Sequence, residues 1–357
     1  MRALAFGTYD RAYPRNAQVI SALRGAGVDV TELNRSVWHH RSNWSLGTRQ
    51  ATRLLKAEAS LLASRRVDAD VVLVGYPGHF DLPAARRAAH GRPIVFNPLV
   101  SLHDTLVRDR GRFGPRSPVA RLLAAVDRAA FRGADLVVAD TASHAAFFRE
   151  RFGLAAHQVG VCLVGAEDRL FTPAAAAVAA PFHVLFVGKL IPLHGIDVVL
   201  EAARLVPEIP FRVVGTGQLA GVMARRPGNV TWDEWLEPAR LPDAYRSAGC
   251  ALGIFAATPK AARVIPNKAF QAIACARPLV TADTPAAREL LTDGVDALLV
   301  PPGDPAALAE AVARLAGDGV LRERLSAGGR ATYEARASEP VLGMQWRALL
   351  ERAVGAR

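Results

Sequence analysis

The chain has 357 residues, of which 51% are hydrophobic and 22% are charged, and its formal net charge is +11 at pH 7. That length exceeds what one ordinary hydrophobic core accommodates, so we expect two domains. The positive balance favours anionic partners such as nucleotide sugars, nucleic acid or an acidic membrane surface. Nucleic acid is excluded first, because the basic residues are scattered, aromatic residues make up only 7% of the chain, and no known nucleic-acid-binding module occurs.

The cysteines and the hydropathy of the chain indicate in which cellular compartment the protein is found. Cys162, Cys250 and Cys275 each stand inside an apolar stretch, and no CxxC pair occurs. This pattern favours buried free thiols in a reducing compartment over a zinc site or a disulfide framework. The first apolar run is too short for a signal peptide, and no segment approaches the ~20 apolar residues of a membrane span. We expect a cytoplasmic protein, for which peripheral contact with an anionic membrane stays open.

The first half of the chain alternates short apolar runs, typical of buried strands, with longer amphipathic runs typical of helices. The predicted strands are Arg2–Phe6, Val28–Leu33, Val71–Val74, Ile94–Asn97, Leu136–Ala139 and Val159–Val164. The predicted helices are Ala17–Arg24, Thr48–Ser64, Leu82–Ala89, Pro118–Phe131 and Ser143–Phe152, with Asn16 and Thr141 as the N-caps of the first and last. This alternation predicts a doubly wound parallel sheet.

An alanine-rich stretch between two prolines predicts a linker over 173–181, which separates a domain over 1–172 from a domain over 182–338. In the second domain the predicted strands are His183–Val187, Phe211–Val214, Val230–Trp232, Cys250–Phe255, Leu279–Thr281 and Ala297–Val300. The predicted helices are Ile196–Leu205, Leu219–Arg226, Leu241–Ala248, Ala269–Cys275, Ala286–Leu291, Ala306–Ala316 and Leu321–Arg336. We expect the tail, 339–357, to form a helix that packs back on the first domain. Ligands of such folds bind at the carboxyl ends of the strands, here in the crevice between the domains.

Two stretches of the second domain carry the clearest chemistry. Val184–Gly195 (VLFVGKLIPLHG) is an apolar strand that runs into a Gly-Lys turn, and Val264–Ala276 (VIPNKAFQAIACA) is a Pro-Asn-Lys turn that opens a helix. Each brings a cation and free backbone N–H groups to the carboxyl edge of a parallel sheet. That combination holds a diphosphate without a P-loop.

Four segments, in order, resemble the family 4 glycosyltransferases. They are VGAEDRLFTP, VLFVGKLIPLHGIDVVLEAARLV, FRVVGTGQL, and the stretch from IPNKAFQ to AVARL. The similarity is strongest from Leu163 to Gly317. It is weaker in the first half, where FGTYDRAYPRN and SLHDTLVRDR are similar to a bacterial subgroup. The resemblance implies an α/β GT-B fold, in which two Rossmann-like domains face a crevice. It also implies a glycosyltransferase that moves a sugar from a GDP- or UDP-sugar with retention of anomeric configuration, and needs no cofactor or metal.

The resemblance also implies a set of site residues. Lys189 takes the place of a phosphate-binding basic residue, and it joins His103 and Gly7 as candidate catalytic residues. His194 stands where the family commonly has a second lysine. The residues expected to bind the donor are Gly188, Lys189, His194, Gly215, Gly217, Arg263, Asn267, Lys268, Gln271 and Glu289. The implied path is a front-face displacement in which the departing phosphate takes the proton of the acceptor, while cations stabilise the leaving diphosphate.

Besides His194, two positions depart from the family pattern. The family has two glutamates separated by seven residues, and this chain has Arg263 and Gln271 instead. The second glutamate typically binds the ribose hydroxyls of the donor; Gln271 can accept and donate a hydrogen bond but lacks the charge. An unusual or charged sugar stays open, as does a catalytically silent sugar-nucleotide-binding module or partner subunit. A sugar-nucleotide epimerase would need an acidic pair in the crevice, and none stands out.

The acceptor is expected on the first domain. Gly7 ends the first strand, so the loop to Asn16 is predicted to overhang the crevice. Candidate acceptor contacts in it are Tyr9, Asp10, Arg15 and Asn16, with further candidates at Trp38, His39, His40 and Trp44. The resemblance implies that His103 contacts the transferred sugar, whereas Arg108 and Arg110 fit either a phosphate contact or a solvated surface. A small-molecule and a lipid-linked acceptor both stay open, because no contiguous amphipathic basic helix is evident in this domain.

Overall fold

The computed structural model describes residues 1–38, 48–64, 67–174 and 181–356. His39, His40 and Trp44 lie outside the described residues, as does most of the predicted linker (175–180). The chain divides into two units. Unit 1 comprises Met1–Leu163 and Glu339–Arg357, and unit 2 comprises Val164–Ser338.

Unit 1 is built on a six-stranded sheet. Its strands are β1 (Arg2–Gly7), β2 (Asp29–Asn34), β3 (Val71–Val74), β4 (Ile94–Phe96), β5 (Leu136–Ala139) and β6 (Val159–Val161). They lie in the order β2-β1-β3-β4-β5-β6, and every neighbouring pair is parallel. The helices are α1 (Pro14–Gly25), α2 (Thr48–Leu62), α3 (Leu82–Ala89), α4 (Pro118–Gly133) and α5 (Ala142–Phe152). β3, β4 and β5 are buried along their whole length, as strands are when both faces of a parallel sheet are covered.

Unit 2 repeats the same construction. Its strands are β7 (Val184–Val187), β8 (Phe211–Val214), β9 (Val230–Asp233), β10 (Cys250–Leu252), β11 (Leu279–Ala282) and β12 (Leu298–Val300). They are parallel and lie in the order β12-β11-β10-β7-β8-β9. The helices are α6 (Ile196–Leu205), α7 (Leu241–Ser247), α8 (Asn267–Ala274), α9 (Pro285–Arg288), α10 (Pro305–Gly317) and α11 (Gly319–Arg336). The prediction of two doubly wound α/β domains is therefore confirmed.

The last helix, α12 (Glu339–Gly355), belongs to unit 1 and packs on α1. Gly343 makes this packing close, because a Cβ there would lie 2.4 Å from the carbonyl oxygen of Ala22. The Arg347 guanidinium donates to the carbonyl of Ala26 at 3.1 Å. The end of the chain thus contributes to the core of the unit that contains its beginning.

Several boundaries differ from the sequence-based prediction: β6 ends at Val161 rather than Val164, β10 ends at Leu252 rather than Phe255, and three further differences have a clear cause. Residues 164–172 belong to unit 2, because the Tyr333 hydroxyl bonds to the Ala166 carbonyl and Phe171 packs against Tyr245 with ring centroids 6.0 Å apart. Helix α1 begins at Pro14, with Tyr13 rather than Asn16 as the N-cap, since proline suits the first helical position. The segment predicted as helix Leu219–Arg226 forms only 3-10 turns (Ala220–Arg225), as expected where Gly221 weakens the helix and Pro227 ends it.

The structure also bears on two expectations from the sequence, which concern membrane-spanning segments and buried cysteines. Within the described ranges, none of the helices combines the length and the apolar character needed to cross a bilayer. Cys162, Cys250 and Cys275 are free thiols and all are buried. Burial raises the pKa of each of these thiols to about 12, so they pack as small apolar groups.

Candidate functional site

The strand order of unit 2 marks one place in its sheet where a ligand fits. β8 and β9 extend from one side of β7, and β10 to β12 extend from the other, so the connections diverge between β7 and β10. At such a switch point a crevice opens beyond the carboxyl ends of the strands. Gly188 and Lys189 follow β7 there, and helix α8 begins in the connection after β10.

Helix α8 presents an uncapped N-terminus to this crevice. Its N-cap is Pro266, whose side chain offers no hydrogen-bond acceptor, and Asn267 is the first helical residue rather than the cap. The N-terminus of a helix carries partial positive charge and unpaired N–H groups, which together favour an anion. The turn after β7 is different from what we expected. The N–H groups of Gly188 and Leu190 already donate to the carbonyls of Val214 and Thr216, at 2.9 and 3.1 Å, so they are not free for a phosphate.

Lys268 is the decisive side chain of the site. It is only 4% exposed, and its Nζ has no hydrogen-bond partner among the residues that the structure describes. The amine lies 3.6 Å from the ring centroid of Phe186. Burial lowers the pKa of Lys268 well below its ordinary value. A buried amine without an acceptor is costly to the fold, so we expect it to be retained for an anionic ligand.

Gly188 and His194 meet Lys268 at the end of β7. A Cβ on Gly188 would lie 3.0 Å from the Lys268 Nζ and 3.2 Å from the His194 Cε1, so the two side chains converge where glycine leaves space. The His194 Nδ1 lies 2.5 Å from the Lys189 carbonyl oxygen. Because a carbonyl only accepts, Nδ1 carries the hydrogen in this contact. Lys189 itself is exposed.

The other predicted donor residues fall into two groups. Gly215 and Gly217 allow close backbone contact, because a Cβ on Gly215 would lie 2.1 Å from the Gly188 carbonyl oxygen, and one on Gly217 would lie 2.6 Å from that of Leu190. Their role in the structure is to bring the turns after β7 and β8 together. Half-buried residues elsewhere in the same unit complete the predicted set: Arg263 at the end of a 3-10 turn, Glu289 directly after α9, and Asn267 and Gln271 on α8.

Unit 1 has a corresponding switch point between β1 and β3, and the sequence analysis missed the residue that fills it. Asp81 is fully buried and accepts hydrogen bonds from the Thr8 N–H and hydroxyl at 2.7 and 2.8 Å. Gly7 gives this carboxylate room, because a Cβ there would lie 2.1 Å from the Asp81 Oδ2. Burial and the hydrogen bond to Asp81 raise the pKa of Glu58 on α2 to about 9. The signal in the sequence was Asp81 itself, an acidic residue directly before a helix.

The acceptor role expected for Arg15 and Asn16 is not supported, because both side chains are buried and used by the fold. Arg15 donates to the Leu163 and Cys162 carbonyls at 2.7 and 3.1 Å. The Asn16 amide donates to the Tyr76 carbonyl at 2.7 Å and accepts from the Tyr76 N–H at 2.9 Å. Both residues fasten α1 to neighbouring loops instead of facing a ligand.

Two other acceptor candidates are also turned inward. Tyr9 is 1% exposed and its hydroxyl donates to Glu32 at 3.0 Å. Trp38 is buried, and its indole N–H donates to the Thr8 hydroxyl at 3.1 Å. Asp10 is half-buried and one of its oxygens caps its own turn through the Ala12 N–H at 2.9 Å. Its other oxygen, Oδ2, is buried and has no hydrogen-bond partner among the described residues.

His103 lies at the carboxyl edge of the unit 1 sheet, in the turn after β4, and is half-buried. Burial, Arg151 and Arg108 together lower its pKa, so the imidazole is neutral near pH 7. Asp127 of α4 is 1% exposed and accepts from the N–H groups of Leu102 and His103, each at 3.0 Å. It also accepts from the Ser101 hydroxyl at 2.6 Å. One buried carboxylate thus fixes the turn that carries His103.

Arg108 lies in the π-helix Asp104–Asp109 and Arg110 directly follows it; the sequence pattern had predicted no helix there. Arg108 is exposed, and Arg110 is half-buried. Over the described ranges, no group of three or more His, Cys, Asp or Glu side chains is arranged to hold a metal ion.

Comparisons with known proteins place this geometry in context. Residues 181–318 match the family model described as "Glycosyl transferases group 1". That range contains the switch point of unit 2, with the turn after β7 and all of α8. The matched residues include Gly188, Lys189, His194 and Lys268.

Several curated proteins match this chain over part of their length, among them the following two. The D-inositol 3-phosphate glycosyltransferase of Thermomonospora curvata is 30% identical over 226 residues, which cover 55% of this chain and 52% of that protein. The phosphatidyl-myo-inositol mannosyltransferase of Mycobacterium leprae is 34% identical over 156 residues, which cover 41% of this chain and 40% of that protein. The matches thus span about half or less of each relative.

The solved structures that match nearly the whole chain include the following two. The sucrose-phosphate synthase from Thermosynechococcus elongatus superposes with a TM-score of 0.75 at 17% identity and covers 100% of this chain and 99% of its own. The HepE protein of Anabaena, in complex with UDP-glucose, gives a TM-score of 0.69 at 18% identity and covers 98% of both chains. These likenesses confirm the expected GT-B fold of two Rossmann-like domains.

Proposed function

We propose that the protein is a glycosyltransferase that moves a sugar from a nucleoside diphosphate sugar to an acceptor. The observation that carries this proposal is the Lys268 amine, buried without an acceptor at the uncapped N-terminus of α8. A diphosphate supplies both the oxygen acceptors and the negative charge that this place lacks. The match of residues 181–318 to a glycosyltransferase family model, and the glycosyltransferases among the relatives, support the same reading.

The site residues have a direct role in this reaction. The bond between the anomeric carbon and the diphosphate oxygen breaks while a bond from that carbon to the acceptor oxygen forms. The acceptor proton moves to the departing phosphate, and the leaving group is stabilised by Lys268, His194 and the exposed Lys189. We propose that the new bond forms on the face that the diphosphate leaves, with retention of configuration. Written in this way, the reaction uses neither a protein nucleophile nor a metal or other cofactor, and its donor is a UDP- or GDP-sugar.

The surface charge of unit 1 supports a proposal for the acceptor and the location. Contrary to the sequence-based expectation, this unit has a basic amphipathic helix: Arg49, Arg53 and Lys56 line a shallow cleft of about 290 Å³ on α2, and Leu55 beside them is 70% exposed. Cations flanking an exposed leucine suit an anionic lipid surface. We propose a cytoplasmic protein whose acceptor is either lipid-linked and reached at a membrane or a small soluble molecule. Sedimentation with vesicles of anionic or of neutral lipid separates these cases.

The proposal is tested by measuring nucleotide binding and sugar transfer on the same protein. Calorimetry with UDP and GDP should show binding by the wild type. Lys268→Met should weaken it by about 10- to 100-fold, the loss expected for a hydrogen bond to a charged group. Lys56→Met removes an exposed lysine of unit 1 and should bind as the wild type does. Failure of every nucleoside diphosphate to bind would overturn the proposal, and binding without transfer or hydrolysis of any donor would favour the silent module.

A further inference from the structure

The Lys268 amine lies where the fold disfavours a positive charge. The residue is only 4% exposed, and its Nζ has no hydrogen-bond partner among the residues that the structure describes. Lys268 is the second residue of α8, so it stands in the first turn of the helix, where the helix dipole is already positive. A charged amine at this place has neither water nor an acceptor to offset the loss of its hydration.

The groups that meet the amine at the end of β7 do not supply a negative charge. The ring centroid of Phe186 lies 3.6 Å from the Lys268 Nζ. A Cβ on Gly188 would lie 3.0 Å from this Nζ and 3.2 Å from the His194 Cε1, so the imidazole approaches the amine from the turn before α6. The titratable neighbour of Lys268 on this side is therefore a second base.

The elements that pack on α8 do not add a carboxylate beside the amine in the described part of the chain. Strands β10 and β11 contain no charged residue. The Tyr245 hydroxyl of α7 lies 3.1 Å from the Gln271 Oε1. Arg330 of α11 donates to the Ala274 carbonyl, at the opposite end of α8. The acidic residues of α7 and α11 are exposed to solvent: Asp243, Glu323 and Glu334.

The balance of these effects favours a neutral amine. The face of an aromatic ring attracts a cation, but this attraction is weaker than the cost of burying an unpaired charge. Burial accordingly lowers the pKa of Lys268 well below its ordinary value. A diphosphate at the start of α8 would reverse the balance, because an opposite charge a few ångströms away raises the affinity of an amine for a proton by about 10- to 1000-fold.

We propose that Lys268 is uncharged when the site holds no ligand, and that it takes up a proton from the solvent when a nucleoside diphosphate binds. The lone pair of Nζ accepts this proton, which returns to the solvent when the nucleotide leaves. The inference rests on the proposed function and adds to it a dependence of donor binding on pH. Since the complex holds more protons than the free protein, the affinity falls as the pH rises, by at most about tenfold per pH unit.

The experiment counts protons during nucleotide binding. Calorimetry with UDP and GDP, from pH 7 to pH 9 in buffers of different ionisation enthalpy, gives the number of protons exchanged and the Kd. We expect an uptake by the wild type that reaches about 0.5 to 0.9 proton per nucleotide, with a Kd that rises with pH to match. Lys268→Arg keeps a charge that does not titrate in this range, so its uptake should be lower by at least about 0.5 proton.

Three further variants keep the test decisive. Lys56→Arg makes the same change at an exposed position of α2 and should retain the uptake of the wild type. Lys268→Met has no amine and gives the same comparison if Lys268→Arg does not fold. His194→Gln removes the neighbouring imidazole and should retain the uptake, because the proton goes to the amine.

Two kinds of failure are distinguishable. An uptake that both Lys268 variants keep, an uptake that His194→Gln removes, or a wild-type Kd that is constant from pH 7 to pH 9 would overturn this inference. In each of these cases the nucleotide still binds, so the proposed function stands. If neither UDP nor GDP binds the wild type, the proposed function fails and this inference fails with it.

Discussion

The switch points of the two sheets have the same topology, but they differ in whether their buried polar groups have hydrogen-bond partners. In unit 1 the space between β1 and β3 is filled by polar groups that satisfy one another: Asp81 accepts from Thr8, and Asn16 pairs with the backbone of Tyr76. In unit 2 the space between β7 and β10 holds Lys268, which is just as buried but has no acceptor among the described residues. The buried polar groups therefore stabilise unit 1, whereas in unit 2 the buried amine of Lys268 lacks a hydrogen-bond acceptor.

This difference separates a structural site from a binding site. A buried polar group with its full set of partners contributes to stability, whereas one without a partner lowers stability and persists only if something else depends on it. The difference can be tested because it predicts that substitutions in the two units change the free energy of unfolding in opposite directions. Removing a polar side chain should weaken the fold of unit 1 and strengthen that of unit 2.

The largest effect is expected at Arg15. Arg15→Met keeps the length of the side chain but leaves the Leu163 and Cys162 carbonyls, which now accept at 2.7 and 3.1 Å, without donors. Each lost partner of a buried group costs about 1–3 kcal/mol, so we expect the free energy of unfolding of unit 1 to fall by about 3 kcal/mol or more. Urea denaturation measures this. Exposed Arg128 on α4 is the matched control, and equal stability of Arg15→Met and Arg128→Met would contradict a structural role for Arg15.

Lys268→Met should do the reverse in unit 2. Methionine fills similar space without a buried amine, so we expect the free energy of unfolding to rise by about 1 kcal/mol while nucleotide binding weakens by about 10- to 100-fold. The two readouts are urea denaturation and calorimetry on the same sample. Stability and binding that fall together would show that Lys268 has a partner in the fold, and the contrast between the units would disappear.

The pH dependence of the stability of Lys268→Met, compared with that of the wild type, tests whether the Lys268 amine titrates. Burial lowers the pKa of Lys268 in the folded protein, so between the folded and unfolded pKa values the unfolded chain binds more protons. The buried amine lowers the free energy of unfolding by its full amount at pH values below the pKa of the folded state. This loss of stability becomes smaller as the pH rises toward 10.5, the ordinary pKa of a lysine in the unfolded chain. We expect the difference in unfolding free energy between Lys268→Met and the wild type to narrow from pH 7 to pH 10. A difference that stays constant would mean that the amine does not titrate in this range.

The sequence predicted the two parallel sheets and most of their strands, because buried parallel strands leave local signals in the sequence. It could not predict which polar residues would be buried. Arg15 and Asn16 looked like loop ligands, yet their partners at Cys162, Leu163 and Tyr76 lie 60 to 148 residues away. Lys189 was the lysine predicted to be catalytic and Lys268 was predicted only to bind the donor, and only the structure shows that Lys189 is exposed while Lys268 is buried against Phe186.

A smaller effect is expected where unit 1 uses a carboxylate to hold a turn. Asp127 fixes the turn before His103 through three hydrogen bonds, and Asp127→Asn replaces an acceptor with an amide that cannot serve all of them. If His103 contacts the transferred sugar, we expect turnover to fall by about tenfold, or ~1.4 kcal/mol, with the Kd for the nucleoside diphosphate unchanged. Steady-state kinetics and calorimetry separate the two. A fall in nucleotide affinity as large as that in turnover would indicate general loosening of the fold.

The last test concerns Glu58, a titratable residue beside Asp81 at the switch point of unit 1. Its pKa rises from 4.5 to about 9 because it is half-buried and shares a hydrogen bond with Asp81, so the folded protein keeps a proton that the unfolded chain loses. The stabilisation is complete below pH 4.5 and is lost as the pH approaches 9. Relative to Glu58→Gln, which cannot ionise, the wild type should lose stability steadily across that range in urea denaturation. Glu150→Gln, at an exposed position of α5, should show no such slope. A slope absent from both comparisons would mean that Glu58 is ionised at neutral pH, and the carboxylates of unit 1 would then be as unsatisfied as the amine of unit 2.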